Sequence, residues 1–342
     1  MVEKTGVKAC LITGIGGFIG SHCLAHLLVN TDWNIVGIDS WNHKGISERI
    51  TDSVHYQNNK HRVKIYTHDL SAPISSILEQ HLGKVEYIIN FASQSHVDRS
   101  ITDPVPFVQN NINIVLNMLQ YARKIKPEKF IQIGTDESYG PTDGINVHKE
   151  WSTILPSNPY SASKAAQEAI AISYWRTYGV PVILTNTMNN FAEMQGSEKF
   201  VPMVIKKVIK GEAVTIHADS SRKVSGSRCW LHARNHADAL MYILQNIAVT
   251  HYPKTDRPGR FNIVGEKQMS NLDIANMVAD IIGKKLIYEL VDSHGSRPGH
   301  DLHYGLCGNK LNSRGWKMPK NFKESLEKMV RWYQANPKWM EE

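Results

Sequence analysis

The chain has 342 residues, 42% of them hydrophobic, with 39 Lys and Arg against 32 Asp and Glu for a formal charge of +7. That length is ample for one large or two moderate domains with a buried core, and no apolar run approaches a bilayer span. The basic excess forms no block that reads as a nucleic-acid arm and suits an anionic small substrate, so neither nucleic acid nor a membrane is expected as a partner. The opening Met-Val-Glu-Lys-Thr-Gly lacks the regions of a signal peptide. Cys10, Cys23, Cys229 and Cys307 are scattered without metal-ligand spacing. Reduced thiols in a cytoplasmic protein, and no metal, are the expectation.

Residues 8–13 predict a short buried strand, followed by Gly14-Ile-Gly-Gly17-Phe-Ile-Gly20 and an amphipathic helix from Phe18 to Val29. Glycines at 14, 17 and 20 allow a tight turn, a close approach to a pyrophosphate and helix packing on the strand. The helix start then offers free N–H groups to phosphates. A second strand, Asn34 to Asp39, ends in an acid placed to hold the adenosine ribose hydroxyls. That carboxylate repels a 2′-phosphate and no arginine follows it directly, which predicts NAD rather than NADP.

Residues 40–62 are polar and aperiodic, predicting a long loop with one short helix. A strand from Val63 closes on Asp69 and Leu70 at the adenine edge, and Val85 to Ala92 predicts a strand covered on both faces. The polar run Ser93 to Arg99 follows, at a strand end where open parallel sheets bind ligands. There Asp98 and Arg99 either face a ligand or pair with each other. From Pro104 to Ile125 apolar residues cover more than one helical face, so this helix is deeply buried or shared with a second subunit. With the helix beginning near Tyr160 it predicts a four-helix bundle across the two-fold axis of a homodimer.

The strand Phe130 to Gly134 breaks into Thr135, Asp136 and Glu137, and Tyr160-Ser-Ala-Ser-Lys164 comes after a proline-marked turn. Tyr160 and Lys164, four residues apart, share a helix face, and the ammonium favours a phenolate base. Two adjacent carboxylates at a strand end can supply an acid and a base together. Val180 to Asn186 closes the alternation of strands and helices, which implies an α/β fold with a doubly wound, Rossmann-type parallel sheet. The cofactor set is Gly14, Gly17, Phe18, Ile19, Gly20, Asp39, Asp69, Leu70 and Ala92, with Tyr160 and Lys164.

Beyond residue 188 a smaller α+β region is expected, with helices at 199–210, 234–246, 271–282 and 323–333 and short strands near 214–217 and 260–264. The division is therefore 1–188 for the dinucleotide and 189–342 mainly for substrate, with about 228–248 returning to the first domain. Lys199, Arg222, Arg228 and Arg297 are candidate partners of a diphosphate, or ordinary surface charges.

These motifs resemble the extended short-chain dehydrogenase/reductase family and, within it, the nucleotide-sugar 4,6-dehydratases typified by the dTDP-glucose enzymes. The likeness runs through Thr13 to Gly20, Ser95 to Ile101, Thr135-Asp-Glu137, Tyr160 to Lys164, Asn189-Asn-Phe191, Glu198-Lys-Phe200, Arg228 to Leu231, Phe261-Asn-Ile263 and Arg297 to Asp301. The Thr-Asp-Glu triplet is the narrow signal, because related epimerases usually lack the acid pair. The resemblance implies that Tyr160 deprotonates the sugar 4-hydroxyl as hydride leaves C4 for NAD, helped by Lys164, while Thr135 holds the 4-oxygen. It further implies Glu137 as the base at C5 and Asp136 as the acid at the 6-hydroxyl, their roles separated by mutual repulsion.

Ser95, Asn190, Lys199, Arg228, Asn262 and Arg297 are implied substrate contacts, with Glu198 and Lys199 equally open to an ion pair. The chain departs from the family at Ser93, Gln94, Ser138, Phe191-Ala-Glu193 and Cys229. Those departures leave the base and the sugar open, with dTDP-glucose first and UDP-glucose or an amino sugar next. Epimerisation, decarboxylation or 5,6-dehydration are the alternatives, and a non-catalytic NAD-sensing protein a distant one.

Overall fold

A computed structural model describes residues 6–42, 44–292 and 301–341. Its described residues fall into two compact units, one within the bounds Met1–Thr135, Pro159–Asn186 and Ala237–Phe261, the other within Asp136–Asn158, Thr187–His236 and Asn262–Glu342.

The first unit is built on a seven-stranded sheet. Its first six strands in chain order are β1 (Ala9–Thr13), β2 (Asn34–Asp39), β3 (Val63–Thr67), β4 (Tyr87–Asn90), β5 (Lys129–Thr135) and β6 (Val182–Thr187). Across the sheet the order is Gly259–Ile263, β6, β5, β4, β1, β2, β3. The ladders of β1 with β2 and β4, β2 with β3, and β4 with β5 are all parallel. All four residues of β4 and all six of β6 are buried, as parallel strands covered on both faces require. The order reverses between β1 and β4, so the crevice beyond their carboxyl ends is the ligand position of a doubly wound sheet.

The helices Pro104–Ile125 and Pro159–Tyr178 pack on each other, with Asn111 Nδ2 donating to Ser163 Oγ at 2.9 Å and Gln120 Nε2 to the Tyr174 hydroxyl at 2.8 Å. Phe107, Val115, Met118 and Leu119 of the first are buried within the chain. Among the described residues no helix is long and apolar enough to cross a membrane.

Residues 40–62 hold more helix than the expected loop: Glu48–Thr51, Val54–Asn59 and a 3-10 turn at Lys60–Arg62. These pieces are too short to show an apolar stripe; Ser53 caps the second by accepting from Tyr56 N. The polar run after β4 likewise becomes a short helix, Val97–Thr102, with His96 as its cap.

The second unit gathers Phe191, Val204, Ile205, Ile216, Trp230, Ile274, Val278, Leu326, Met329 and Tyr333 into one buried cluster. The helices Phe200–Lys210, Asn271–Ile282 and Phe322–Ala335 contribute to it, each amphipathic as its spacing suggests. Val214–Ala218 pairs in parallel with Tyr288–Asp292, and Ser227–Cys229 antiparallel with Gln268–Ser270.

Candidate active site

The glycine turn follows β1. Gly14 has φ +66, the left-handed region that an unbranched backbone tolerates, and a Cβ on Gly20 would stand 2.2 Å from the Gly14 carbonyl oxygen. The Phe18–Asn30 helix therefore lies directly against the turn. Its N-cap, Gly17, brings no side chain to the helix start, and no acid sits in the first turn. The leading N–H groups thus face no competing carboxylate of their own helix, as an anion site requires.

Asp39 is 7% exposed at the end of β2; its Oδ2 accepts from Gly16 N at 2.8 Å and its Oδ1 from Trp41 N at 2.9 Å. The acid is thereby tied to the turn and cannot swing away. Two residues that spacing did not single out complete this corner. Trp41 lies so close to Gly16 that a Cβ there would meet its ring at 2.5 Å, and the buried Arg49 donates to the Gly16 carbonyl. Asp69 is exposed and turns back on Ser71 N at 2.9 Å, while the buried Leu70 gives its carbonyl to Asn117 Nδ2. Phe18 and Ile19 are half-buried at the helix start, and Ala92 N donates to Thr13 Oγ1 at 3.1 Å. This donor set suits a dinucleotide: a cradle without side chains for the pyrophosphate and a fixed carboxylate for ribose hydroxyls.

Lys164 is 4% exposed, and burial brings its ammonium down from 10.5 to about 8, against the opposing pull of Glu168. Its Nζ donates to Gln167 Oε1 at 2.8 Å. Tyr160, one helical turn earlier, meets the Phe107 ring edge-on at 6.4 Å, and its backbone N–H donates to Ser100 Oγ. Glu168 pairs with Arg260 in full burial, and Asn186 donates both to Glu168 Oε1 at 2.6 Å and to the Thr135 carbonyl at 3.0 Å. The end of β5 is thus pinned where it delivers Thr135.

In the second unit, Asp136–Tyr139 form a 3-10 turn in which Asp136 Oδ1 accepts from Glu137 N at 3.0 Å. The Glu137 carboxyl is pushed up from 4.5 to about 7, first by burial and then by the charge of Asp136, with Asp301 adding to the rise. Asn158 and Arg228 pull the other way; Asn158 Nδ2 donates to Glu137 Oε2 at 3.4 Å. A carboxyl near 7 is half ionised at neutral pH and is suited to take and return a proton. Cys229, where the resembled family carries an acid, is a buried thiol pushed up to about 11 by burial and by Asp136.

The remaining sequence-predicted contacts separate. Arg228 donates to the carbonyls of Ser227, Asp301 and Leu302 and stacks over the Tyr304 ring, 4.5 Å from its centre. Asn190 uses its amide internally, donating to the Met188 carbonyl at 2.9 Å with its oxygen 3.2 Å from His236 Nδ1. Asn262 likewise donates to the carbonyls of His148 and Cys307. Lys199 occupies the N-cap position of the Phe200–Lys210 helix without a side-chain cap bond, Arg222 and Ser95 are exposed, and Arg297 lies outside the described residues.

Residues 11–329 match the family described as GDP-mannose 4,6 dehydratase. The dTDP-glucose 4,6-dehydratase of Shigella flexneri is 31% identical over 358 residues, covering 97% of this chain and 94% of its own. That of Salmonella typhimurium is 33% identical over 355 residues, with 96% and 94% covered. Among solved structures, the dTDP-glucose 4,6-dehydratase DesIV of Streptomyces venezuelae with NAD bound superposes with a TM-score of 0.84 at 28% identity, covering 97% of this chain and 99% of that one. The UDP-glucose 4-epimerase of Thermus thermophilus shares the fold at a TM-score of 0.81 and 24% identity.

Proposed function

The chain belongs to the GDP-mannose 4,6 dehydratase family, and from that premise we propose that it removes water across C5 and C6 of a nucleotide-diphosphate hexose, leaving a 4-keto-6-deoxy sugar. dTDP-glucose is the first substrate, because relatives 31% and 33% identical carry that activity in their names; UDP-glucose is the next. The observation that carries the reading is the acid pair, with Glu137 held at about 7 beside Asp136. An enzyme that only exchanged hydride at C4 would have no use for it.

The glycine turn and Asp39 would hold NAD, which would supply a hydride acceptor for C4 and a hydride donor for C6. Tyr160 takes the 4-hydroxyl proton and Thr135 holds the 4-oxygen, while the Lys164 ammonium favours the phenolate. Once C4 is a ketone the C5 proton is acidic; with the proton that the resting pair keeps on Glu137 passed to Asp136, Glu137 removes the C5 proton as Asp136 gives its own to the departing 6-hydroxyl. Arg228 and Lys199 bring positive charge to the diphosphate. Asn190, Asn262, Ser95 and Arg297 complete the proposed substrate set. The Asn190 and Asn262 side-chain amides brace the protein, so their contribution to a ligand is to the shape of the walls.

The enzyme works in the cytoplasm as a homodimer, with the helices Pro104–Ile125 and Pro159–Tyr178 of each copy forming a four-helix bundle; a monomeric mass in solution would remove that assembly. The reaction is tested by incubating the protein with dTDP-glucose, UDP-glucose and UDP-N-acetylglucosamine in deuterium oxide and following the sugars by NMR. A 4-keto-6-deoxy product with deuterium at C5 is expected. Epimerised sugar without loss of water, unchanged when Asp136 or Glu137 is replaced by its amide, would overturn the reading.

A further inference from the structure

We propose that Gln167 is a positioning residue for Lys164: its side-chain amide bridges the lysine ammonium to the Asn111 carbonyl and fixes where that ammonium points. The kinetic part of this inference rests on the dehydratase reading; the structural part does not.

The amide can stand in only one orientation. Gln167 Nε2 donates to the Asn111 carbonyl at 2.7 Å, which turns Oε1 toward two donors, Lys164 Nζ at 2.8 Å and Gln132 Nε2 at 3.2 Å. Flipping it would set nitrogen against both donors and oxygen against a carbonyl. Gln132 is held in turn, its Oε1 accepting from Asn90 Nδ2 at 2.8 Å, and Asn90 Oδ1 accepts from Thr13 Oγ1 at 2.6 Å. Every member from Thr13 to Gln167 is fully buried, so none of these bonds competes with water. The ends of β1 and β4 and the middle of β5 are thereby tied through one polar chain to a single lysine.

A lysine ammonium on four methylenes is a mobile point charge with three donors. Fixing one of them on Gln167 leaves two in defined directions. The bridge also supports the charge: an amide oxygen at 2.8 Å favours the protonated form in surroundings whose low polarity opposes it. The charge acting on Lys164 is that of Glu168, which is itself paired with Arg260. Neither Gln167 nor Gln132 has a place in the proposed proton transfers, so the bridge acts through Lys164.

The test uses Gln167→Met, which removes both halves of the bridge, and Gln167→Glu, which keeps an acceptor and adds charge. Two readouts are compared with wild type: the pH profile of kcat, and the titration of Lys164 by NMR in protein labelled at lysine Cε, its signal identified by its absence in Lys164→Met. For Gln167→Met, kcat falls about tenfold with KM within about twofold, and the alkaline limb and the Lys164 titration both move to lower pH. For Gln167→Glu both move to higher pH. A Lys164 titration and an alkaline limb unchanged in both variants would overturn the proposal, even if stability fell. Should Gln167→Met fail to fold, the direction of the shift in Gln167→Glu decides alone. If the wild-type protein turns over no nucleotide sugar, the dehydratase reading fails, while the Lys164 titration still decides whether Gln167 governs that ammonium.

Discussion

Glu168 and Glu137 carry the same side chain in opposite surroundings. Glu168, in the first unit, is 1% exposed and meets Arg260 and the Asn186 amide, so its charge is matched and its lone pairs are engaged. Glu137, in the second, has Asp136 beside it, and the 3.4 Å amide contact from Asn158 and the charge of Arg228 offset its burial in part. One carboxylate has become an anchor, bracing the carbonyl of Thr135 through Asn186. The other has become a group poised to exchange a proton near neutral pH. Both carboxyls are withdrawn from water, Glu168 wholly and Glu137 as a half-buried residue; the sign of the neighbouring charge separates structure from chemistry.

The strongest way to break this contrast is to make Glu168 resemble Glu137. Arg260→Met leaves an unmatched buried carboxylate, and unfolding in urea is expected to show a loss of about 3–5 kcal/mol. Adding Glu168→Gln to that variant should recover more than half of it. The converse change sharpens the contrast. The folded protein holds the Glu137 proton up to about pH 7, whereas the unfolded chain releases it near 4.5, so its contribution to stability is present below 4.5 and lost as pH rises through 7. Glu137→Gln is therefore expected to be more stable than wild type by about 2–3 kcal/mol at pH 8 and no more stable at pH 4, measured by urea unfolding at both. The smallest effect separates the two causes of the raised value. With Asp136→Asn, NMR of carboxyl-labelled glutamate should show Glu137 titrating lower than in wild type yet still above 4.5, because burial is the larger cause. A titration at the ordinary value would mean that the charge of Asp136 does the whole work.

Much of the proposed nucleotide corner is legible in the sequence because its parts are local. Gly14, Gly17 and Gly20 sit within one turn, Asp39 closes the next strand, and Tyr160 and Lys164 share one helical repeat. Trp41 and Arg49 are missed because they fall in the aperiodic stretch 40–62, whose short helices, one of them capped by Ser53, are too short to show an apolar stripe. Asn90 and Gln132 did leave a signal: each is a polar residue in an otherwise apolar strand, and a buried amide demands partners. Their partners stand 42 and 35 residues along the chain, and no local pattern names them. Asn190 and Asn262 show the opposite case, matching a substrate motif while using their amides on backbone carbonyls.

By itself the sequence determined the parallel sheet and the glycine turn after its first strand, and it marked the tyrosine, the lysine and the acid pair as candidates, because strand alternation, glycine spacing and helical repeat act over a few residues. Only the tertiary structure decided that Lys164 is held by Gln167, that Glu168 is neutralised by Arg260, and that the rise in proton affinity falls on Glu137. Burial and charge are summed over neighbours in space, and those neighbours come from strands and helices far apart along the chain.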